Sequence, residues 1–180
     1  MKILVATDIH GSAYWAEQIV DKFNQSKADC LVLLGDIYNH GPRNPFPKDY
    51  APAKVAEILN GIGSKVISVK GNCDSEVDQM ISGFPFVSDE VIFTEKRRLY
   101  FTHGHIFNKT NLPMVSCGDV VLYGHFHISE IVDVDGVTCV NVGSCSLPKD
   151  GKNAYCLIDS NAVTVFDFDG NAIVQKRFDD

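Results

Sequence analysis

The chain has 180 residues, of which 45% are hydrophobic and 22% are charged, and its formal net charge is −7. This composition excludes a disordered, collagen-like or coiled-coil chain, and the length suits about one domain, which we place over residues 1–180. The acidic balance disfavours a nucleic-acid polymer as partner, because such partners are normally held by a basic face. No apolar run approaches the roughly 18 residues of a membrane helix, so the sequence predicts no membrane span.

The N-terminus and the cysteines indicate the compartment. The apolar run after Lys2 meets Thr7 and Asp8 too early to form the roughly 7 to 15 residues of a signal-peptide core. The six cysteines form no CxxC pair, and several lie in apolar segments where cysteine behaves as a small hydrophobic residue. We therefore expect a cytoplasmic protein with reduced thiols.

The first half of the chain alternates between strand and helix patterns. Residues 2–7 and 28–34 are compact apolar runs, as expected of strands buried on both faces. Between them, apolar residues recur at helical spacing behind Ser12, a suitable N-cap residue. This arrangement predicts a right-handed βαβ unit with parallel strands, and a third strand is predicted at residues 65–69.

Two further helices and a long loop complete this half. A helix is predicted over residues 52–62 from its apolar face, and a short one over 75–81 from a capping box formed by Ser75 and Asp78. The irregular stretch 38–50 contains three prolines. Loops of that length are often functional.

The second half is mostly β. Eight short apolar segments predict strands, at residues 91–94, 99–102, 120–123, 131–134, 137–140, 155–158, 163–168 and 173–175. The pairs Asp135-Gly136 and Asp169-Gly170 predict two-residue hairpins. An α/β half followed by a β half predicts two sheets packed face to face, with helices outside.

Polar residues able to bind a metal follow the predicted strands. They are Asp8, His10, Asp36, Asn72, His103, His125 and His127. Because ligand sites in open α/β sheets lie outside the carboxyl ends of strands, these side chains can converge although they span most of the chain. Seven donors exceed what one tetrahedral ion needs, and they suit two adjacent ions that share a carboxylate and leave room for water.

Each of these residues alone has a simpler interpretation. Asp8, Asp36 and Asn72 could form turns, since Asp and Asn bond their own backbone and tolerate left-handed geometry. Each histidine could lie exposed on the surface. Their co-occurrence favours the metal site, because five of the six histidines lie in three of these strand-end motifs.

Five motifs carry a resemblance to a known family. In chain order they are Asp8-Ile9-His10, Gly35-Asp36, Gly71-Asn72-Cys73-Asp74, Thr102-His103-Gly104-His105 and Gly124-His125-Phe126-His127. Together they resemble the signature of the calcineurin-like metallophosphoesterases, and residues 35–45 and 71–80 are similar to the small bacterial YfcE-type phosphodiesterases. The resemblance covers essentially the whole chain and implies an α/β fold, a four-layer αββα sandwich, in agreement with the pattern of the two halves.

The resemblance also implies a role for each donor. The first metal ion would be bound by Asp8, His10 and His127, the second by Asn72, His103 and His125, and both by a bridging Asp36. The implied activity is hydrolysis of small phosphodiesters by attack of a hydroxide that bridges the two ions. A mixed nitrogen and oxygen donor set suits Mn²⁺, Fe²⁺, Zn²⁺ or Ni²⁺, and the resemblance favours Mn²⁺.

One residue departs from the pattern of many relatives. They carry a histidine after the asparagine that helps to protonate the leaving group, whereas this chain has Cys73, which the YfcE-type proteins share. A neutral thiol is a poor acid, so we expect Cys73 to be structural and Asp74 or His40 to tune the site. Asp74 could equally be the N-cap of the helix at 75–81, and His40 could be a loop histidine bonded to backbone.

Two further features lie beside these motifs. His105 is not a primary ligand in the family pattern and could support the ligands indirectly. Residues 141–144, Asn-Val-Gly-Ser, match a late turn of the family that is expected to pack beside the site.

Other functions are compatible with the same signature. A phosphomonoesterase or a nucleotide pyrophosphohydrolase could use the same metals, and a local basic patch near Arg43 would leave a nuclease role open. The retromer subunit of similar fold is mainly a protein-binding module, but its enzyme-like site is incomplete, whereas every ligand position is filled here. We therefore predict an enzyme acting on a small phosphodiester and, since members of this family often associate, a homodimer.

Overall fold

The computed structural model describes residues 1–178, and the first half of the chain folds as alternating strands and helices. Its elements are β1 (Ile3–Ala6), α1 (Ala13–Ser26), β2 (Cys30–Leu33), α2 (Pro52–Asn60), β3 (Val66–Val69), α3 (Glu76–Ile81) and β4 (Phe86–Val87). A 3₁₀ turn, Gly63–Lys65, leads from α2 into β3. All the helices and strands predicted for this half are present, and β4 is an additional strand.

The starts of α1 and α3 follow from their capping residues. The hydroxyl oxygen of Ser12 accepts a hydrogen bond from the backbone N–H of Trp15, which confirms Ser12 as the N-cap of α1. At α3, the carboxylate of Asp78 accepts a hydrogen bond from the backbone N–H of Ser75 at 2.7 Å, and Ser75 is the N-cap. The alternative interpretation of Asp74 as the N-cap of this helix is therefore wrong.

The second half consists of strands. They are β5 (Glu90–Phe93), β6 (Arg98–Phe101), β7 (Val120–Tyr123), β8 (Ser129–Val134), β9 (Val137–Val142), β10 (Ala154–Ile158), β11 (Ala162–Asp167) and β12 (Ala172–Arg177). All eight predicted strands are confirmed. Asp135 and Gly136 both have positive φ and form the predicted two-residue turn between β8 and β9.

The second predicted hairpin turn is wrong in its length. Four residues, 168–171, separate β11 from β12, rather than the two residues Asp169 and Gly170 alone. The Asp167 carboxylate accepts hydrogen bonds from the backbone and side-chain nitrogens of Asn171 at 2.8 and 3.0 Å. These bonds close a wider loop than a two-residue turn would give.

The twelve strands form two sheets. The seven-stranded sheet has the order β12-β11-β10-β1-β2-β3-β4, and β1 to β4 are parallel to one another. The five-stranded sheet has the order β5-β6-β7-β9-β8, with β6, β7 and β9 parallel. The carboxyl ends of β1, β2 and β3 therefore share one edge, as do those of β6 and β7.

The alternation of side chains along each strand builds two separate cores. In β1, Ile3 and Val5 face the second sheet, whereas Leu4 and Ala6 face the helices. Side chains of α1 and α2 cover this outer face of the seven-stranded sheet, among them Ala16, Ile19, Phe23, Val55 and Leu59. The predicted fold class, an α/β sandwich of two sheets with flanking helices, is confirmed.

The outer face of the five-stranded sheet is covered by chain from the loop between β6 and β7. Val121, Tyr123 and Cys139 form a small buried cluster on that face, and Leu112 and Val115 pack against it. Within residues 1–178, the outer layer over the five-stranded sheet is therefore a loop.

Two expectations about the whole chain concern its cysteines and its helices. All six cysteines lie within residues 1–178, and none of them forms a disulfide, as expected. Over the same residues, no helix combines the length and the apolar character needed to cross a membrane. The helix α1 has only 14 residues, against roughly 20 for a membrane-spanning helix.

Candidate metal centre

The predicted donor residues meet where the carboxyl ends of strands from both sheets come together. The seven-stranded sheet contributes side chains from the loops after β1, β2 and β3, and the five-stranded sheet contributes side chains from the loops after β6 and β7. The donors are Asp8, His10, Asp36, Asn72, His103, His125 and His127. The site therefore lies across the seam between the two sheets.

The backbone at most of these donors has an unusual conformation. Positive φ angles between 51° and 66° occur at Asp8, His10, Asp36, His125 and His127. A non-glycine residue in this left-handed region costs roughly 1–2 kcal/mol, and such residues concentrate at functional sites. The surrounding fold imposes this geometry, and it turns the side chains toward one another.

One group of donors is formed by Asp8, His10 and His127. Nε2 of His127 lies 3.1 Å from Oδ1 of Asp8, and Nε2 of His10 lies 3.4 Å from the same oxygen. The two Nε2 atoms are 3.4 Å apart. All three side chains are buried, so their nitrogen and oxygen atoms face one small volume away from bulk water.

A second group surrounds Nε2 of His103. This atom lies 3.0 Å from Oδ1 of Asn72 and 3.2 Å from Nδ1 of His125. It also lies 3.6 Å from Oδ2 of Asp36, and the same carboxylate oxygen is 3.8 Å from Nε2 of His10 in the first group. Asp36 is therefore placed between the two groups.

The histidines are oriented by hydrogen bonds on the ring nitrogen that faces away from the site. Nδ1 of His10 donates to the carbonyl of Asn39 at 2.7 Å, and Nδ1 of His103 donates to that of Leu34 at 2.7 Å. Nδ1 of His127 donates to the carbonyl of Leu147 at 2.6 Å. Because a carbonyl can only accept, each Nδ1 carries the proton and each Nε2 offers a lone pair to the site.

The two carboxylates are held in the same manner. Oδ2 of Asp8 accepts hydrogen bonds from the hydroxyl of Thr7 at 2.7 Å and from the backbone N–H of His125 at 3.0 Å. Oδ1 of Asp36 accepts a hydrogen bond from the backbone N–H of Cys73 at 2.8 Å. One oxygen of each carboxylate is thereby fixed, and the other is directed toward the histidines.

The backbone could not approach these carboxylates so closely with larger residues. A Cβ atom at Gly71 would collide with Oδ1 of Asp36, and one at Gly124 would collide with Thr7 and Asp8. Glycine is therefore required at both positions for the loops to close around the carboxylates.

The electrostatics of the site favour positive charge. Burial raises the pKa of Asp8, but the close contacts with His10 and His127 and the charge of the neighbouring His103 together hold that pKa well below its usual value. Burial lowers the pKa of His10, but its contacts with the Asp8 carboxylate and the Asn39 carbonyl and the negative charge of Asp36 together outweigh burial, so the net shift is upward. Burial and the neighbouring His103 lower the pKa of His125 to about 4, which leaves this imidazole neutral at neutral pH. Imidazole nitrogens and carboxylate oxygens are the donors that divalent ions bind as they displace protons, so these residues fit such ions.

Asp74 does not face the donors. Its Oδ2 accepts hydrogen bonds from the backbone N–H groups of Asp36 at 2.7 Å and Gly71 at 2.8 Å, and its Oδ1 accepts one from Ile37 at 2.8 Å. The buried carboxylate therefore ties the loop after β2 to the loop after β3, which carry Asp36 and Asn72.

Cys73 lies beside the donors. Its sulfur accepts a hydrogen bond from the side-chain amide of Asn72 at 3.2 Å, and a Cβ atom added at Gly41 would lie 3.1 Å from the same sulfur. Burial, with the negative charge of Asp36, raises the pKa of the Cys73 thiol to about 12. The thiol is neutral at physiological pH.

His40, one of the two residues expected to tune the site, does not line the cleft above the donors. Its ring packs against Phe46 and Tyr50, with centroid distances of 4.4 and 5.3 Å. These aromatic contacts turn the imidazole into the 38–50 loop.

His105 and the turn after β9 lie at the margin of the site. The ring of His105 is exposed, with its centroid 5.3 Å from that of His103, and His105 is absent from the groups of converging donors in the described residues. The hydroxyls of Ser144 and Ser146 donate to the backbone carbonyl of Asp8 at 3.1 and 2.8 Å. The turn that begins at Asn141 therefore packs beside the site, as predicted.

A cleft of about 680 Å³ opens above the donors. Its walls include the donors Asp36, Asn72, His125 and His127, together with Asn39, Gly41, Pro42, Arg43, Asn44, Cys73, Phe126 and Lys149. Sequence analysis did not find Asn39, Asn44 or Lys149. No spacing signal marks them, since they reach the cleft only through the packing of the 38–50 loop and the loop after β9.

Comparison with known proteins agrees with this geometry. The model of the calcineurin-like phosphoesterase superfamily domain matches residues 1–162, and the chain belongs to that superfamily. The protein is a metallophosphoesterase. The chain is 46% identical to the phosphodiesterase YfcE of Escherichia coli over 178 residues, which cover 98% of this chain and 97% of that protein.

Two further similarities extend the comparison. The solved structure of E. coli YfcE matches with a TM-score of 0.95 at 45% identity and covers 98% of each chain. A probable metallophosphoesterase of Bacillus subtilis, YsnB, is 28% identical over 96% of this chain and 95% of its own length. The similarity therefore extends over both sheets of the sandwich.

Proposed function

We propose that the protein hydrolyses small phosphodiesters at a dinuclear metal site. The observation that carries this proposal is the position of Asp36, whose Oδ2 lies 3.8 Å from Nε2 of His10 and 3.6 Å from Nε2 of His103. A single carboxylate oxygen between two groups of donors is suited to bridge two cations.

The donors divide between the two ions as follows. Asp8, His10 and His127 would hold the first ion, Asn72, His103 and His125 would hold the second, and Asp36 would contact both. When bound, two divalent ions supply a more nucleophilic water and positive charge for the phosphoryl oxygens. The nitrogen and oxygen donors suit Mn²⁺, with Zn²⁺, Fe²⁺ and Ni²⁺ as competitors.

Bound metal ions would give the site the positive charge that attracts a phosphate. Two carboxylates, Asp8 and Asp36, face two divalent ions, which leaves a net charge of about +2 when the histidines are neutral. The site would be electropositive although the chain carries a net charge of −7. A phosphodiester anion is attracted to such a site.

The reaction that these residues support depends on the leaving group. Cys73 is the side chain at the position where a proton donor is expected, and its pKa of about 12 makes it a poor acid at neutral pH. Its hydrogen bond with Asn72 supports a structural role. Diesters whose leaving group needs no proton should therefore react fastest. The curated name of the E. coli relative, a phosphodiesterase, supports the same choice of substrate.

The test is hydrolysis of bis-p-nitrophenyl phosphate by metal-stripped protein, before and after addition of Mn²⁺, Zn²⁺, Fe²⁺ or Ni²⁺. We expect turnover only with metal and highest with Mn²⁺. Asp36→Asn should lower kcat/KM by about 100-fold or more, because it removes the bridging carboxylate. The matched control is Asp21→Asn on the exposed surface of α1, which should leave kcat/KM unchanged.

Two results would contradict the proposal. Faster hydrolysis of p-nitrophenyl phosphate than of the diester would make the protein a phosphomonoesterase. Absence of turnover with every ion, despite metal binding measured by calorimetry, would favour a non-catalytic binding module.

A further inference from the structure

Arg43 and Lys149 are cations in the wall of the cleft, and neither forms an ion pair within residues 1–178. Some other cations of the protein have carboxylate partners. Arg98, for example, lies 2.6 Å from the carboxylate of Asp119, and Lys109 lies 2.6 Å from that of Glu130. In an acidic protein, two cations without a carboxylate partner in one cleft are available to bind an anion.

The rest of the cleft wall agrees with an anionic ligand. Among the described residues that line it, the only carboxylate is Asp36, and this side chain is directed toward His10 and His103. Asn39 and Asn44 add amide groups to the same wall. The cleft beyond the donors therefore presents cations and amides, and no free negative charge.

Both cations lie on segments that are tied to a donor histidine. The backbone N–H of Lys149 donates to the carbonyl of His127 at 2.8 Å. On the other segment, the carbonyl of Asn39 accepts from His10, and the Asn39 side chain accepts from the backbone N–H of Gly41 at 2.8 Å. Both segments are therefore fixed beside the donors, and the exposed side chains of Arg43 and Lys149 line the cleft above them.

The size of the cleft leaves room for more than one phosphate group. Its volume of about 680 Å³ falls within the roughly 300–1,000 Å³ of sites that hold whole small molecules. We propose that Arg43 and Lys149 bind a second phosphate group, carried on one ester arm of the substrate. The preferred substrate class is thus a small phosphodiester that bears an additional phosphomonoester, and this inference rests on the proposed diesterase function.

The reaction leaves the second phosphate intact. The oxygen of water forms a bond to the scissile phosphorus, and the bond from that phosphorus to the leaving-group oxygen breaks. One proton of the water stays on the new hydroxyl of the scissile phosphate. The other proton ends on the leaving oxygen when an alcohol departs, or goes to solvent when a phenolate departs. The second phosphate serves only to hold the arm, through the guanidinium of Arg43 and the ammonium of Lys149.

Two probes test the proposal with the Mn²⁺-loaded protein. They are thymidine 5′-(p-nitrophenyl phosphate) and its 3′-phosphorylated counterpart, which share the scissile diester and the leaving group and differ by one phosphate. We expect kcat/KM to be higher by about tenfold or more for the 3′-phosphorylated probe, mainly because its KM is lower. A difference of this size is typical of one charge-assisted contact.

Variants show whether the preference comes from these two side chains. Arg43→Ala and Lys149→Ala should each reduce the ratio of the two kcat/KM values, and the double variant should bring it close to one. Arg43→Lys should retain part of the ratio because the charge remains. The matched control Lys22→Ala lies at the end of α1 distant from Ser12, removes one positive charge, and should leave the ratio unchanged.

Binding without turnover provides the second measurement. Calorimetric titration with thymidine 3′,5′-bisphosphate and thymidine 5′-monophosphate should show a preference for the bisphosphate that Arg43→Ala and Lys149→Ala reduce. Equal kcat/KM values for the two probes would overturn the proposal. Variants in which kcat/KM falls by the same factor for both probes would overturn it as well, because that result indicates a general attraction of anions. Failure of every diester to react, with the calorimetric preference intact, would contradict the diesterase function and leave the second phosphate site supported.

Discussion

Asp74 acts on the site through the backbone of the two loops that carry Asp36 and Asn72. Its three acceptor contacts are all with backbone N–H groups, and the side chain is buried. An asparagine at this position has the same shape but only one acceptor oxygen. At least one buried N–H would then lose its partner, at a cost of roughly 1–3 kcal/mol.

Asp74→Asn should therefore lower the free energy of unfolding by about 2 kcal/mol and reduce kcat/KM by about 10- to 100-fold. Urea denaturation and Mn²⁺ titration of the variant would measure both effects. The control Asp78→Asn weakens the cap of α3 and should cost about 1 kcal/mol with no change in metal affinity. An Asp74→Asn variant with normal metal affinity and activity would show that the loops after β2 and β3 keep their positions without the Asp74 carboxylate.

The sequence predicted the convergence of the donors, because each one follows a strand and the carboxyl ends of parallel strands meet at one edge. It did not predict the environment of His40, which depends on how a proline-containing loop places Phe46 and Tyr50. It also did not predict Lys149, whose approach to His127 arises only when the loop after β9 closes over the site. Loop conformations of this kind have no periodic signal.

At the scale of elements, the start of α1 is connected to the 38–50 loop through Ser12. Its hydroxyl accepts from the backbone N–H of Trp15 and donates to the carbonyl of Lys48. One side chain thus caps a helix and anchors the loop that carries Arg43.

Ser12→Ala should reduce stability by about 1 kcal/mol, since both the cap and the loop anchor are lost. Hydrogen exchange in residues 38–50 should become faster, and thermal unfolding would measure the stability. Ser64→Ala, at an exposed position in the 3₁₀ turn, is the control and should change stability by less than about 0.5 kcal/mol. An unchanged rate of hydrogen exchange in residues 38–50 would show that the Ser12 hydroxyl does not anchor this loop.

Elements with a long periodic pattern of apolar residues were predictable from the sequence. Elements whose position depends on pairing with a neighbouring strand were not. α1 and the central strands have enough apolar residues to define a period. β4 has two residues, and it exists because Phe86 and Val87 pair alongside β3. The length of the loop between β11 and β12 was decided by the side chain of Asp167, a contact that the dipeptide Asp169-Gly170 does not reveal.

For the whole molecule, the donors join the two sheets. Asp8, His10, Asp36 and Asn72 follow strands of one sheet, whereas His103, His125 and His127 follow strands of the other. Metal bound by donors from both sheets should therefore stabilise the complete sandwich against unfolding.

Mn²⁺ at about 100 times its dissociation constant should add about 2.7 kcal/mol to the free energy of unfolding for each ion bound. For a chain of this size the corresponding rise in Tm is roughly 5–10 °C, which differential scanning calorimetry would detect. Asp36→Asn should abolish most of the rise, and Asp21→Asn should retain it. A Tm that does not respond to Mn²⁺ would contradict a site shared by the two sheets.

The left-handed backbone at five of the donors also bears on how this fold can diverge. Glycine adopts this conformation more freely than these residues do, so the fold has a conformational cost at the positions of its donor side chains. Replacement of such a donor by glycine relieves that cost and removes the ligand in the same step. The strain of the folded backbone therefore does not preserve these donors, and only selection for their chemistry keeps them in place.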